Sequence, residues 1–294
     1  MSRLGGEATG NSNGPETPKP EQSQVELGPM PKAAALLNID AHKFRIWIRT
    51  FGRLRVYIDY KELTAKDWSY PKVQSLLRFL LLQHQSIPLD AVLERIWPNL
   101  PDDRARQNFS VALHHLRSTL EPHRTKHHDS NLIIYKNRQV RFNHSLVLVD
   151  RNLFIQLSRE KIATDLSSER YRALNEAMVS LYAGQLFEDE PYQDWCIRER
   201  ERLEEMYLMA REELARLSLE EGDPMTALRH CEAILDRDPL REVAHIILMK
   251  AYVALGHRTR AVNHYHQLTR LLAEELGMAP ASTIQQLYEE ILQH

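Results

Sequence analysis

Arg104, Gln107, Ser110, His114, Arg117 and Ser118 recur at three- and four-residue spacing inside one stretch, Asp103 to Glu121, DRARQNFSVALHHLRSTLE. At about 100° per residue they gather, together with Val111, on one arc of a helix. Arginine, glutamine, serine and histidine donate to or accept from base edges and phosphate oxygens, so this arc has the chemistry to lie in a DNA major groove. No carboxylate falls on it. The acids stand at the ends: Asp102 or Asp103 can cap the first turn and oppose the helix dipole, and Glu121 closes the stretch. Glu121 also offers Arg117 a partner four positions on, but an exposed ion pair is worth little and arginine is the commonest partner of guanine edges, so DNA is preferred for Arg117. Alone, such an arc reads as an ordinary solvated face; its flanks change that.

Other reactive chemistry is sparse. There is no Gly-rich phosphate loop, GxSxG, HExxH or kinase signature, so no enzyme and no cofactor are expected. The histidines at 114, 115, 123, 127 and 128 invite a metal, but His114 and His115 point to different arcs and the others fall in a polar loop without a thiolate, so none is expected. In His264-Tyr265-His266 the tyrosine matches a core position, which leaves the histidines on more exposed arcs. The acids at 188–190 and 199–205 are interleaved with Arg198, Arg200 and Arg202, the pattern of solvated helix faces with ion pairs. Cys196 and Cys231, without CxxC spacing, suggest neither a disulfide framework nor a metal site.

Stepping outward, Ala105, Phe109, Leu113, Leu116 and Leu120 form the apolar stripe that must seat the polar arc on a partner layer. Two helices precede it. Pro71 opens the first, with Val73, Leu76, Leu77, Leu80 and Leu81 at helical spacing; Leu89, Val92, Leu93, Ile96 and Trp97 repeat the pattern before Pro98. Before both, Phe44, Ile46 and Ile48, then Leu54, Val56 and Ile58, alternate as two strands, with a short third near Glu62 to Thr64. After the stretch, LIIYKNRQVRF predicts a hairpin whose tip carries Lys136 and Arg138 and in which Asn137 can take positive φ. A small sheet, three helices and a basic hairpin make a winged helix-turn-helix, with the third helix in the major groove and the hairpin on the neighbouring backbone.

From Asp150 onward helical spacing takes over. Gly222-Asp-Pro-Met-Thr-Ala227-Leu-Arg-His230 recurs 34 residues later as Gly256-His-Arg-Thr-Arg-Ala261-Val-Asn-His264, and Ala210 with Ala244 and Leu214 with Leu248 keep that offset. This is the period of tetratricopeptide hairpins, and Gly184 marks a third, irregular unit. The expected division is a disordered leader over 1–40, a winged-helix domain over 41–150 and an all-α, tetratricopeptide-like domain over 151–294. Charge divides the same way: residues 43–150 hold 18 Lys and Arg against 10 Asp and Glu, and residues 151–294 hold 17 against 25. A basic half suits nucleic acid and an acidic half suits protein. The longest apolar run, LLRFLLL, contains Arg78 and is too short to cross a membrane, and the N-terminus lacks a secretory core, so the cytoplasm is expected.

FRIWIRTFGRLRVYID, KVQSLLRFLLLQHQSIPLDAVLERIWPNLPDDRARQNFSVALHHLRSTLEP and EDEPYQDWCIRERERLEEMY together resemble the Streptomyces antibiotic regulatory protein family, which joins an OmpR/PhoB-type winged helix to a bacterial transcriptional activator domain. The resemblance covers essentially all of 44–294. It implies that the RxxxNxxxALxxLRxxL pattern, Arg104 to Leu120, is the recognition helix, with Arg104, Gln107, Ser110, His114, Arg117 and Ser118 toward DNA. It further implies that the loop Pro98 to Asp103 meets RNA polymerase, and that copies of the protein bind side by side on promoter direct repeats. The family's recognition helices are often more basic where this chain has His114 and His115. The implied function is a transcription regulator, an activator that contacts double-stranded DNA, RNA polymerase and itself; the alternative is a helical-repeat adaptor whose winged helix packs against protein.

Overall fold

The computed structural model describes residues 28–124, 130–162 and 166–293. The first alternating stretch folds into β1 (Ile46–Arg49) and β2 (Arg55–Ile58), antiparallel with Ile48 opposite Val56, and β3 (Lys61–Glu62) extends the edge. On the other side of β1 lies a parallel strand that no alternation announced, β7 (Val147–Val149), with Ile48 opposite Val149. Central β1 is therefore buried on both faces, with Ile46, Trp47 and Ile48 all in the core. A strand covered on both sides needs no polar face, which is why its run of apolar residues is nearly continuous.

The helices expected next are present as α2 (Pro71–Leu81), α3 (Leu89–Ile96) and α4 (Asp102–Leu120). Val73, Leu76, Leu77, Leu80 and Leu81 of α2 are fully buried, so the spacing names the core face correctly. A hairpin of β5 (Ile133–Lys136) and β6 (Gln139–Phe142) follows, and β6 also pairs with the two-residue β4 (Ile87–Pro88) that leads into α3. This N-terminal part is mixed α/β.

The remainder is helical: α5 (Asp150–Glu160), α6 (Ser168–Leu181), α7 (Ile197–Glu220), α8 (Pro224–Leu235), α9 (Glu242–Ala254), α10 (Arg258–Leu276) and α11 (Ser282–Gln293). The 34-residue offset is kept in three dimensions. Gly222 and Gly256 follow α7 and α9 at φ 80° and 74°, and Ala227 with Ala261 and Ala210 with Ala244 are fully buried where helices cross. Even a polar contact repeats, since Arg211 meets the His230 Nδ1 at 3.2 Å and His245, 34 residues on, meets His264 at 2.7 Å. His264 is thus held between helices rather than lying on an exposed arc, while Tyr265 stacks on Tyr288 with ring centroids 4.0 Å apart. Expecting only Tyr265 inside overlooked that two adjacent residues can both face neighbours in a stacked array.

One expectation is corrected at the N-terminus. Residues inside the proposed 1–40 leader form a helix, α1 (Met30–Leu36), whose Met30, Ala33 and Ala34 are buried against α5 and α6. The guanidinium of Arg170 donates to the Leu36 carbonyl that ends it. About two turns of helix with alanines on one face give too short an apolar pattern to stand out. The rest of that expectation, residues 1–27, lies outside the described residues.

The two halves are joined by buried polar contacts. Asp150, almost wholly buried, accepts from the Thr50 amide at 2.8 Å, the Thr50 hydroxyl at 2.6 Å, the Phe51 amide at 3.1 Å and the Arg151 amide at 2.7 Å. Arg78 of α2, 2% exposed, donates to Asp189 at 2.5 Å and Glu190 at 2.8 Å, and Arg151 of α5, held by Glu199 of α7, donates to the His84 Nε2 at 3.3 Å. Alongside, the segment after Gly184 pairs with the β1–β2 turn: the Gly52 amide donates to Gln185, Phe187 to Thr50 and Glu188 to Gly52, each at 2.9 Å. One core cluster consequently runs from Met30 to Ala244.

Gly184 lies backbone to backbone with Gly52, so a methyl group there would stand 3.1 Å from the Gly52 Cα and 2.7 Å from a Glu188 carboxylate oxygen. Gly184→Ala is expected to lower unfolding free energy by about 1–3 kcal/mol, measured by urea denaturation, because the crowding atoms include backbone. Acid sensitivity is a second consequence of the fold. Burial, then Arg211, pushes His230 down to about 4, and burial, then His245, does the same to His264. The unfolded chain takes up these protons near pH 6.5 and the folded chain does not, so their contribution is complete above about pH 6.5 and is lost as pH falls toward 4. The urea midpoint should drop over that range, and the drop should be shallower in a His230→Asn, His264→Asn double variant; parallel profiles would contradict this assignment.

Candidate nucleic-acid interface

Helix α4 is anchored by the stripe expected of it. Ala105, Phe109, Leu113, Leu116 and Leu120 are buried, together with Ala112, and Phe109 packs edge-on against Trp97 of the preceding turn and Tyr135 of β5. With that face fixed, rotation of the helix is determined, and Arg104, Gln107, Ser110, His114 and Ser118 stand exposed on the outer side. Val111 is 44% exposed in the same region. The start of the helix differs in detail from expectation: Pro101 is the residue before the first turn, and Asp102 and Asp103 lie within that turn without a side-chain cap, where their charge still opposes the dipole.

Arg117 occupies a different place from the other five. It sits on the flank of the helix, half-buried, and its guanidinium donates from Nε at 3.1 Å and from Nη2 at 2.6 Å to the carbonyl of Ile133, the first residue of β5. That carbonyl lies at the base of the hairpin, so Arg117 joins α4 to the hairpin. Sequence spacing could not foresee this, because the partner is a main-chain oxygen beyond a loop. Ser110 also turns inward in part, donating to the Arg106 carbonyl at 3.0 Å. His115 is drawn to the Ser69 hydroxyl at 2.9 Å and rests against Tyr70, which leaves His114 as the imidazole on the open side.

The hairpin tip is a two-residue turn. Asn137 at φ 52° and Arg138 at φ 58° both take the left-handed conformation, as a tight primed turn demands. Lys136 is exposed. Arg138 bends back to Asp90, at the start of α3, with its Nη2 2.9 Å and 3.0 Å from the two carboxylate oxygens. Arg106 reaches the same carboxylate at 3.4 Å. Asp90 and Arg106 were not singled out by spacing, since 16 residues separate the pair and 48 separate Asp90 from Arg138.

Among the described residues no group of three or more histidine, cysteine or carboxylate side chains is arranged to hold a metal, and His127 and His128 lie outside them. Both cysteines are free and buried. No described helix is long and apolar enough to cross a membrane.

Residues 149–292 match the bacterial transcriptional activator domain. The chain is 28% identical over 231 residues to the transcriptional regulatory protein MoaR1 of Mycobacterium tuberculosis, covering 76% of this chain and 72% of that one. It is 27% identical over 285 residues to the regulatory protein AfsR of Streptomyces griseus, covering 95% of this chain. The matched domain and these relatives support the Streptomyces antibiotic regulatory protein family. The chain is a transcription regulator and not an enzyme. A solved structure, Mycobacterium tuberculosis EmbR in complex with a low affinity phosphopeptide, shares the fold with a TM-score of 0.72 over 85% of this chain at 20% identity. This chain spans 65% of that EmbR chain and 27% of AfsR.

If Arg117 holds the hairpin to α4, then Arg117→Ala should accelerate amide exchange across β5 and β6 while lowering global stability by about 1 kcal/mol, the usual worth of such hydrogen bonds. Hydrogen exchange resolved by residue checks this; unchanged protection at Ile133 to Phe142 would show the tie to be dispensable.

Proposed function

We propose that residues 41–150 form a winged helix-turn-helix that reads promoter DNA, and that the tetratricopeptide-like residues 151–294 carry the activating contacts. The observation behind this reading is the outer side of α4: Arg104, Gln107, His114 and Ser118 stand exposed on a helix whose opposite face is fully anchored, beside an exposed Lys136, on a half of the chain with net charge near +8. A helix so anchored can enter the major groove end-on, with Gln107 able to pair bidentately with adenine and Arg104 with guanine or a phosphate. Ser110 and Ser118 add hydroxyls to that face. Lys136 of the hairpin, with Arg138 behind it, supplies positive charge for the adjacent backbone.

The partners follow from the same reading. Pro98, Asn99 and Pro101 to Asp103 are exposed between α3 and α4, on the loop proposed to meet RNA polymerase. A promoter with direct repeats would seat two copies in the same orientation, so self-association is proposed on DNA. Activation is the proposed outcome, with double-stranded DNA and RNA polymerase as partners and no cofactor.

A selection of bound duplexes from a random pool tests this, comparing the full chain with Arg104→Ala and Gln107→Ala at two salt concentrations. A motif repeated in direct orientation is expected, with each variant losing about 1–3 kcal/mol at its own base position. Affinity should also fall linearly in log–log terms as salt rises, because condensed counterions are released. No motif, and binding indifferent to salt, would reassign the α4 face to protein contact.

A further inference from the structure

The carboxylate of Asp90 stands on the same side of the molecule as the hairpin tip and the start of α4, and three elements converge on it. Asp90 belongs to the first turn of α3 and is 64% exposed at its side chain. Arg138, at the tip of the β5–β6 hairpin, places one guanidinium nitrogen between its two oxygens, while the Arg138 carbonyl accepts from the Leu89 amide at 2.8 Å. The tip is therefore tied to α3 by backbone and side chain together. Arg106 of α4 completes the group at 3.4 Å and has a second acid, Asp102, at 3.7 Å.

A carboxylate on a DNA-facing surface opposes phosphate, so its position calls for a reason. Two effects separate in principle. As a charge, Asp90 neutralises Arg138 and repels any backbone that approaches at random; as a tether, it fixes where the tip can go. Both lower affinity for an arbitrary duplex more than for one whose backbone already lies in register, because the latter is met with the pair intact, whereas the former would gain from a guanidinium free to seek its phosphates. Discrimination by disfavouring wrong partners is a recognised route to specificity. The ion pair is exposed, and such pairs are worth a fraction of a kcal/mol to about 1, so the effect it can exert is a few-fold in affinity.

We infer that Asp90 is a specificity-determining positioning residue: it holds Arg138 off phosphates that are out of register, and its removal trades sequence discrimination for general DNA affinity. This rests on the DNA-binding function proposed above. It assigns to Asp90 no contact with a base.

The experiment uses the full chain and two duplexes of equal length, one enriched by the selection and one scrambled, with dissociation constants measured at about 50 and 200 mM salt. Asp90→Asn is expected to bind the scrambled duplex roughly 3- to 5-fold more tightly, with a salt slope steeper by about one ion, while the enriched duplex changes less than about twofold. Adding Arg138→Ala to Asp90→Asn should abolish the gain. Arg138→Ala alone should leave scrambled-duplex binding within about twofold, since in the wild type that guanidinium is already engaged by Asp90. The inference is overturned if Asp90→Asn leaves the ratio of the two constants unchanged, if the gain survives without Arg138, or if Arg138→Ala alone flattens the salt slope by about one ion. The last comparison decides even if Asp90→Asn unfolds. A wild-type chain that binds neither duplex in a salt-dependent way would instead remove the DNA-binding function itself.

Discussion

A single buried carboxylate governs how the two halves of this chain meet. Asp150 ends β7 and begins α5, and it accepts hydrogen bonds from Thr50 and Phe51 at the far end of β1. Burial pushes its carboxyl above the usual range, while the hydroxyl and amide donors around it favour the charged form. An acid so placed is tolerable only with its lone pairs occupied, so the geometry of β1, β7 and α5 is tightly constrained around it. Because β7 is the strand that brings the chain back after the hairpin, the parallel pairing of β1 and β7 and the descent into α5 both depend on this contact.

The rest of the junction repeats the logic with opposite sign. Arg78 is a buried arginine among the leucines of α2, and it is acceptable there because Asp189 and Glu190 meet it from the helical half. Within the helical half Arg151 meets Glu199 in the same manner, and its guanidinium reaches His84 across the junction at 3.3 Å. Removing one partner of such a buried pair leaves an uncompensated charge and costs about 3–5 kcal/mol, whereas the pair as a whole adds little net stability. Their contribution is geometric: they specify which loop of the helical half faces which helix of the α/β half.

Local chemistry was legible in the sequence to the extent that it repeats. The stripe of α4, the core faces of α2 and α3, the primed turn at Asn137 and the 34-residue repeat all have partners within a turn of helix or one hairpin, and each is found in the structure. What stayed hidden has partners far along the chain. Asp150 lies 100 residues from Thr50, Arg78 lies 111 from Asp189, and two of the acids at 188–190, which pattern alone marks as solvated, are partners of the buried Arg78. Strand β7 escaped because a strand of three residues, buried on both faces, has no alternation to display. At the interface, the same reason explains Arg117: its periodicity placed it near the polar arc, but only the fold brings the Ile133 carbonyl within its reach.

This division between local and distant partners bears on how regulation can act. A flexible linker between the halves would let a signal in the helical domain reorient the DNA-reading unit at little cost. Here the connection from β7 to α5 has no spacer at all, and the buried contacts of Asp150 and Arg78 would both have to part before the halves could turn against each other. Parting them would also expose the apolar core that runs through both halves, a cost beyond what a typical effector, with a coupling of about 1–3 kcal/mol, can drive. On the proposed function, a signal received by the helical half is therefore better transmitted by where it places the whole molecule than by bending it. Any adjustment of the reading surface itself falls to the parts held by exposed contacts, the hairpin tip and its pairing with Asp90, where a change of a few tenths of a kcal/mol is enough to shift the balance.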